Sequence, residues 1–586
     1  MRLTNPLPIA TALRRSLRAG YDAKALRADA LAGLVVGIVA LPLSMALAIA
    51  VGVAPQYGLY TAIVGGSIAA ITGGSKFQVT GPTAAFVVIL APIVGRHGLY
   101  GLLTAGLMAG VILVALGLAR LGRLITYIPH PVTTGFTAGI ATVIATLQLK
   151  DVFGLRVAHM PDEYLERVAA LWHARGTASW QEPIVAAVTL ALLLVIPRWT
   201  RRVPAPLVAI AFVSLVAWVL GRWVPGFHTD TIGDRFHVAL DGRVFAGIPP
   251  LPPRPMLPWG TGHLGLQALR QLASSAFAIA MLGAIESLLS AVIADGMTGK
   301  RHDPNAELVG QGLANIVAPF FGGIAATGAL ARTATNVRSG AQSPIAALIH
   351  SAVVLLSILL FAPLVAFVPM ASLAGLLLLV AWNMSEVRHA IHTIRVAPKS
   401  DVFVLAACFV LTVVFDMVVA VSAGVMMAAL LFMRRMAELT QTRILRESPE
   451  QQSHTLPRGV ALYEIDGPLF FGAAQNAVSS LEAIGADVRL LILGLGHVPV
   501  IDATGLVALE SVLDRLRSAR VFVIIAGPLP EPRAVFERAG LESRMSHVLF
   551  ARSTEQALQI ARDLSLLNPG WTEMSAVAVE NRNAGA

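Results

Sequence analysis

FQVTGPTAAFVVIL (Phe77–Leu90) and GGIAATGALARTATNVRSG (Gly322–Gly340) are two short stretches of small residues, each set among long apolar runs. Each reads as an extended segment that turns into a helix in the middle of a membrane span. A span broken in this way exposes backbone N–H groups at mid-depth, which hydrocarbon tolerates only where something polar fills the gap. The second stretch also carries Arg332. Two half-helix N-termini beside an arginine make a site for an anion.

The rest of the chain agrees with a membrane setting. Of its 586 residues, 56% are hydrophobic and 13% charged, the balance of a polytopic membrane protein. The net charge of +10 comes largely from short basic tracts between apolar runs, including Arg14-Arg15, Arg120 with Arg123, Arg201-Arg202, Lys300-Arg301 and Arg434-Arg435. That is the pattern of cytoplasmic loops. It explains the basicity by the lipid bilayer alone and calls for no nucleic acid. The single cysteine, Cys408, excludes an intrachain disulfide and a cysteine metal cluster. No P-loop, catalytic triad or metal-ligand cluster occurs, so neither an enzyme nor a cofactor is expected. Asp295, Asp303, Asn305 and Glu307 are spaced faintly like a calcium loop but lack further ligands, and no metal is expected there.

Apolar segments fall at about 29–50, 56–73, 82–95, 98–119, 125–149, 183–197 and 204–221, then at 268–294, 306–321, 331–341, 344–361, 363–383, 401–417 and 418–433. Seven plus seven spans result, with the short third and tenth in corresponding places, the mark of inverted repeats. With the N-terminus inside, the basic tracts all face the cytoplasm, and the 150–182 and 222–265 loops face outwards. Residues 1–28 form a basic cytoplasmic segment without the features of a cleavable signal. The transmembrane domain runs over 29–435 and a charged linker over 436–457. From 458 to 565, VALYEIDGPLFFG, VRLLILGL and VFVIIAGPL alternate with helical stretches, as in a small α/β domain. Residues 566–586 have the composition of a disordered tail. The expected home is a bacterial cytoplasmic (inner) membrane, with both termini in the cytoplasm.

Several stretches match a known family in order. They are DALAGLVVGIVALPLSMALA (29–48), GVAPQYGLYTAIVGG (52–66), TGPTAAF (80–86), YIPHPVTTGFTAGI (127–140), ELVGQGLANIVAPFFGG (307–323) and VIDATGL (500–506). Over residues 25–565 the chain resembles the SulP (sulfate permease) anion transporters, which carry a C-terminal STAS domain. The resemblance implies a mobile core with spans 1, 3, 8 and 10, rocking against a gate of spans 5–7 and 12–14. It also implies a homodimer and a STAS domain that meets a cytoplasmic partner or regulates. The wording of residues 282–316 is most similar to the family's bacterial C4-dicarboxylate transporters. One departure is Leu43, where sulfate transporters of the family typically carry glutamine after the first-span proline, here Pro42. A polar side chain is thus missing from the expected pocket wall.

The candidate substrate-binding residues are Thr80, Gly81 and Thr83 at the first break, and Ala331, Arg332 and Thr333 at the second. Pro82 suits a helix start because its missing N–H would be unpaired there anyway. By resemblance, Met45, Leu47 and Phe86 line the pocket; core packing explains the same residues. Small residues at both breaks also suit helix packing. Arg332 is expected to pair, in the empty protein, with Glu286 of the eighth span. Desolvation would favour the protonated carboxyl of Glu286 and let it carry a coupling proton, whereas a nearby arginine would favour the ionised form as a structural counter-charge. His130, His350 and Asp416 read as structural. In VIDATGL, Asp502 and Thr504 sit at a strand-to-helix turn where related anti-sigma antagonists carry a phosphoacceptor serine. A regulatory role for the pair is open, and an N-cap is the simpler reading. The expected function is proton-coupled uptake of C4-dicarboxylates such as succinate, fumarate, malate and aspartate. The alternatives are a sulfate or bicarbonate transporter of the same fold, an anion channel, and a STAS-coupled receptor.

Overall fold

The computed structural model describes residues 9–123, 129–158, 160–161, 163–199, 204–240, 243–261, 265–415, 417–439, 441–445, 456–457, 459–470 and 488–567. The chain divides into two compact units, Met1–Met426 and Met427–Ala586. Asp416, residues 446–455 of the expected linker and residues 568–586 of the expected tail lie outside the described residues.

The helices that carry the site are labelled here, together with all strands. The first unit contains α1 (Ala23–Val51), β1 (Thr80–Gly81), α2 (Ala84–Leu118), α3 (His130–Val152), α4 (Tyr164–His173), β2 (His237–Leu240) and β3 (Arg243–Ala246). It continues through α5 (Leu266–Thr298), α6 (Pro304–Val317), β4 (Thr327–Gly328), α7 (Leu330–Arg338), α8 (Ile345–Val365) and α9 (Lys399–Val414). Asp22 starts α1, its side chain accepting from the backbone N–H of Ala25, and Gly52 ends it at φ 95°. Glycines let α1 and α8 lie close together. A Cβ added at Gly37 would stand 2.7 Å from Cγ1 of Val353, so no larger residue fits without moving a helix.

Among the described residues, eight helices are long and apolar enough to cross a membrane. Fourteen crossings were expected. The expected third and fourth spans, 82–95 and 98–119, both lie along α2, which the non-helical backbone of Gly98 (φ 66°, ψ −170°) divides into two helices. The expected second span is helical from Pro55 to Thr72, with a π-turn over Thr61–Gly65 inside it. The ninth, tenth and thirteenth coincide with α6, α7 and α9, of 14, 9 and 16 residues. These are shorter than the roughly 20 residues that a full crossing needs. The polar 150–182 stretch is not merely a loop, since it carries α4, and β2 and β3 form an antiparallel hairpin within the second polar stretch.

In the second unit, β5 (Gln441–Leu445), β6 (Val460–Asp466), β7 (Leu490–His497), β8 (Phe522–Ala526) and β9 (Val548–Ala551) form one sheet in that order. β5 is antiparallel to β6 and the other pairs are parallel. Each face buries its own cluster, one around Leu493, Leu513 and Phe536, the other around Ile492, Ile524 and Leu558. The linker expectation is corrected here. Residues 441–445 are a strand, because their backbone completes the free side of β6, and the preceding helix runs to Leu439.

Candidate functional site

Backbone groups freed by the two broken spans satisfy one another. β1 and β4 pair antiparallel, Thr80 opposite Gly328 and Gly81 opposite Thr327. Irregular backbone within a bundle persists only where such partners exist. Each strand then leads into a helix. Thr83 precedes α2 and Ala329 precedes α7, and neither N-cap supplies a side-chain hydrogen bond to its helix. Both starts therefore keep their first-turn N–H groups free of side-chain caps.

Arg332, in the first turn of α7, is 1% exposed. Its Nη2 donates to Oγ of Ser44 at 3.2 Å and to the carbonyl of Pro82 at 3.0 Å. Nε and Nη1 are buried and have no partner among the described residues. Gly81 lies directly against Nη1, where a Cβ would collide with the guanidinium. The two breaks and α1 thus converge on one unneutralised cation.

The expected Arg332–Glu286 pair does not form. Half-buried Glu286 instead accepts at Oε2 from Oγ1 of Thr83, 2.8 Å away. The N-terminus of α2 thus turns its hydroxyl to the acid of α5, and among the described residues no carboxylate pairs with Arg332.

The other hydroxyls hold the crossing together. Thr80 Oγ1 accepts from Nε2 of Gln311 at 2.7 Å, and Thr333 Oγ1 accepts from the backbone N–H of Val79 and from Oγ of Ser290, both at 3.1 Å. Thr327 donates to the carbonyl of Gly283 at 3.0 Å and meets Oγ of Ser287 at 2.7 Å. Asn315 bridges Ala326 by accepting from its N–H and donating to its carbonyl, both at 2.8 Å. Glu307, Gln311 and Asn315, at four-residue steps on one face of α6, form a buried polar stripe. Glu307 accepts from Gln311 and from the backbone N–H groups of Gly74 and Ser75, each at 2.9 Å. Phe86 packs on Gly283, whose added Cβ would sit 3.4 Å from the ring. Met45 lies in an apolar cluster with Leu59, Ile63 and Val354, and Leu47 is fully buried. Ala331 is exposed. Ser44 escaped the sequence reading, although it is the one hydroxyl in the apolar run of α1.

In the second unit Asp502 caps α10 (Ala503–Ser518), its Oδ1 accepting from the N–H of Gly505 at 2.7 Å. Thr504 is exposed beside it.

An arginine buried where two interrupted helices cross, ahead of an α/β unit, is the plan of a multi-pass anion transporter. The chain belongs to the sulfate permease family, whose model matches residues 26–408, and a STAS domain model matches residues 453–557. A putative sulfate transporter of Bacillus subtilis, YvdB, is 40% identical over 523 residues, covering 89% of this chain and 95% of its own. The solved transmembrane domain of a cyanobacterium bicarbonate transporter, BicA, matches at TM-score 0.59 and 28% identity, covering 68% of this chain and 98% of that one. The overall structure of SLC26A9 matches at TM-score 0.80 and 18% identity, covering 95% and 94%, and so shares the fold. The protein is an anion transporter and not an enzyme.

Proposed function

We propose that the protein is a secondary active transporter that takes up C4-dicarboxylates with protons by alternating access. The observation that carries this reading is Arg332, buried with Nε and Nη1 unpartnered between two uncapped helix starts. A carboxylate offers two oxygens to those N–H groups and cancels the charge. Thr83 links the same helix start to Glu286, which supports a proton acceptor one hydrogen bond from the anion. Leu43, where sulfate transporters of the family typically carry glutamine, favours a substrate with a carbon skeleton. Thr80, Thr333 and Gly81 then shape the site rather than ligate, while Met45, Leu47 and Phe86 are its apolar support. The reading includes seven-plus-seven repeats, cytoplasmic termini in a bacterial inner membrane, a homodimer, and regulation through the STAS domain around Asp502 and Thr504.

A sulfate or bicarbonate substrate is the second reading, favoured by the names of the similar transporters. Uptake of labelled succinate into proteoliposomes, with and without an inward proton gradient, separates the two. Gradient-driven uptake inhibited by fumarate supports the dicarboxylate. Flux of sulfate or bicarbonate without succinate uptake replaces it, and flux that never exceeds the electrochemical gradient points to a channel.

A further inference from the structure

A groove of about 710 Å³ runs between the helix Ala205–Trp223, α1 and α8, all three long and apolar enough to cross a membrane. Leu207, Ala211, Ser214 and Trp218, at steps of three and four, turn one face of the first helix to it. Ile358, Phe361 and Val365 of α8 form the other lip, and Pro42 and Met45 of α1, both buried, form the floor. Among the described residues no charged side chain lines it. The lips are open, since Leu215, Trp218, Phe361 and Leu364 are each more than half exposed. From Leu207 to Trp218 the helix rises about 16 Å. One leaflet, half of the roughly 30 Å hydrocarbon core, is about 15 Å deep. The groove therefore has the length of one acyl chain in its own leaflet.

Trp218 and Phe367 line both this groove and a second cavity, of about 560 Å³, at the end of the same helix. The second cavity is polar. Arg222, one turn beyond Trp218, lines it with His228 and His237. All three are exposed, and their side chains make no hydrogen bond or ion pair among the described residues. Asp234 is the one acid in the lining, and its Oδ2 already accepts from the N–H and Oγ1 of Thr231, at 3.0 and 2.7 Å. The N–H groups of Ile232 and Gly233 donate to the carbonyls of Val368 at 3.0 Å and Ala366 at 2.9 Å, which fixes this wall to the end of α8. Aromatic rings at the edge of an apolar slot, with an arginine one turn farther out, follow the depth profile of a leaflet from chain to headgroup. A guanidinium matches the oxygens of a phosphate, and each imidazole adds an N–H.

We propose that the two cavities together hold one glycerophospholipid, with an acyl chain in the groove and its phosphate on Arg222, His228 and His237. The floor residues Pro42 and Met45 flank Ser44, which accepts from Arg332, so the chain lies against the helix that supports the anion site. The inference does not depend on which anion is transported.

The test uses the purified full-length chain, stripped of lipid in detergent and titrated with phosphatidylglycerol under native mass spectrometry. One lipid should be retained. Arg222→Gln should weaken its retention about tenfold, as the loss of one charge-assisted phosphate contact. Ala211→Trp, whose indole fills the slot, should remove it. Both positions are exposed, so the fold tolerates either change. Phosphatidylethanolamine shares the phosphate and should bind with the same dependence on Arg222, whereas inorganic phosphate should not displace the lipid. A diazirine on the acyl chain should crosslink within residues 207–218 or 357–368. Crosslinks confined to other segments, or retention unchanged by Ala211→Trp, overturn the proposal. Retention unchanged by Arg222→Gln overturns the phospholipid and leaves a plain hydrocarbon slot. Displacement by inorganic phosphate assigns the polar cavity to the free ion instead. None of these readouts requires transport, so they stand apart from the substrate assignment.

Discussion

Arg332 is the residue whose environment is incomplete. A buried guanidinium with three unmatched N–H groups, one on Nε and two on Nη1, costs several kcal/mol relative to a satisfied one, unless an anion arrives. Substrate should therefore raise the melting temperature of the wild-type protein, and Arg332→Ala should abolish that shift together with uptake. A shift that persisted in the variant would place the anion elsewhere. Gly81→Ala tests the same contact from the opposite side. Its methyl group would displace Nη1, and uptake should fall at least tenfold, with about 1–3 kcal/mol lost from stability as overpacking. Glu286→Gln keeps an acceptor for Thr83 but removes the titratable group. Uptake driven by a proton gradient should disappear while exchange of internal for external substrate continues. Gradient-driven uptake retained in the variant would remove Glu286 from coupling.

The elements around the arginine differ in how openly the sequence displays them. The two breaks were legible, because small residues and Gly81-Pro82 interrupt otherwise continuous apolar runs, and a helix cannot absorb that change silently. The stripe on α6 was not. Glu307, Gln311 and Asn315 resemble a polar face near a membrane surface, and their partners Thr80 and Ala326 can be assigned only once the halves are packed. Ser44 was hidden by its apolar neighbours, and the expected Arg332–Glu286 pair failed because Thr83, 203 positions from Glu286, reaches that acid instead. β5 was read as linker because a five-residue edge strand among charges has no periodicity to detect. The stripe gives its own prediction. Gln311→Leu leaves the Thr80 hydroxyl and a buried Glu307 oxygen without their donor, and should cost about 1–3 kcal/mol, read as a lower melting temperature. Asp502→Ala in the cap of α10 should cost about 1 kcal/mol, measured by denaturation of the second unit alone.

At the scale of the whole molecule, the change in composition near residue 458 located the α/β domain, while its first strand lies earlier in the chain. Both faces of its sheet bury apolar clusters. A fragment of residues 441–567 should therefore unfold in one cooperative transition, followed by circular dichroism. The pairing of β1 with β4 bears on how the protein is made. Thr80 leaves the ribosome long before Gly328, so the first half of the chain enters the bilayer with the outer edge of its short strand unmated. Assembly of the anion site is consequently a late event in biogenesis, and neither half is a smaller transporter by itself. A gene split between β3 and α5 should give two inactive polypeptides whose co-expression restores flux, with Thr80 and Gly328 meeting across the cut.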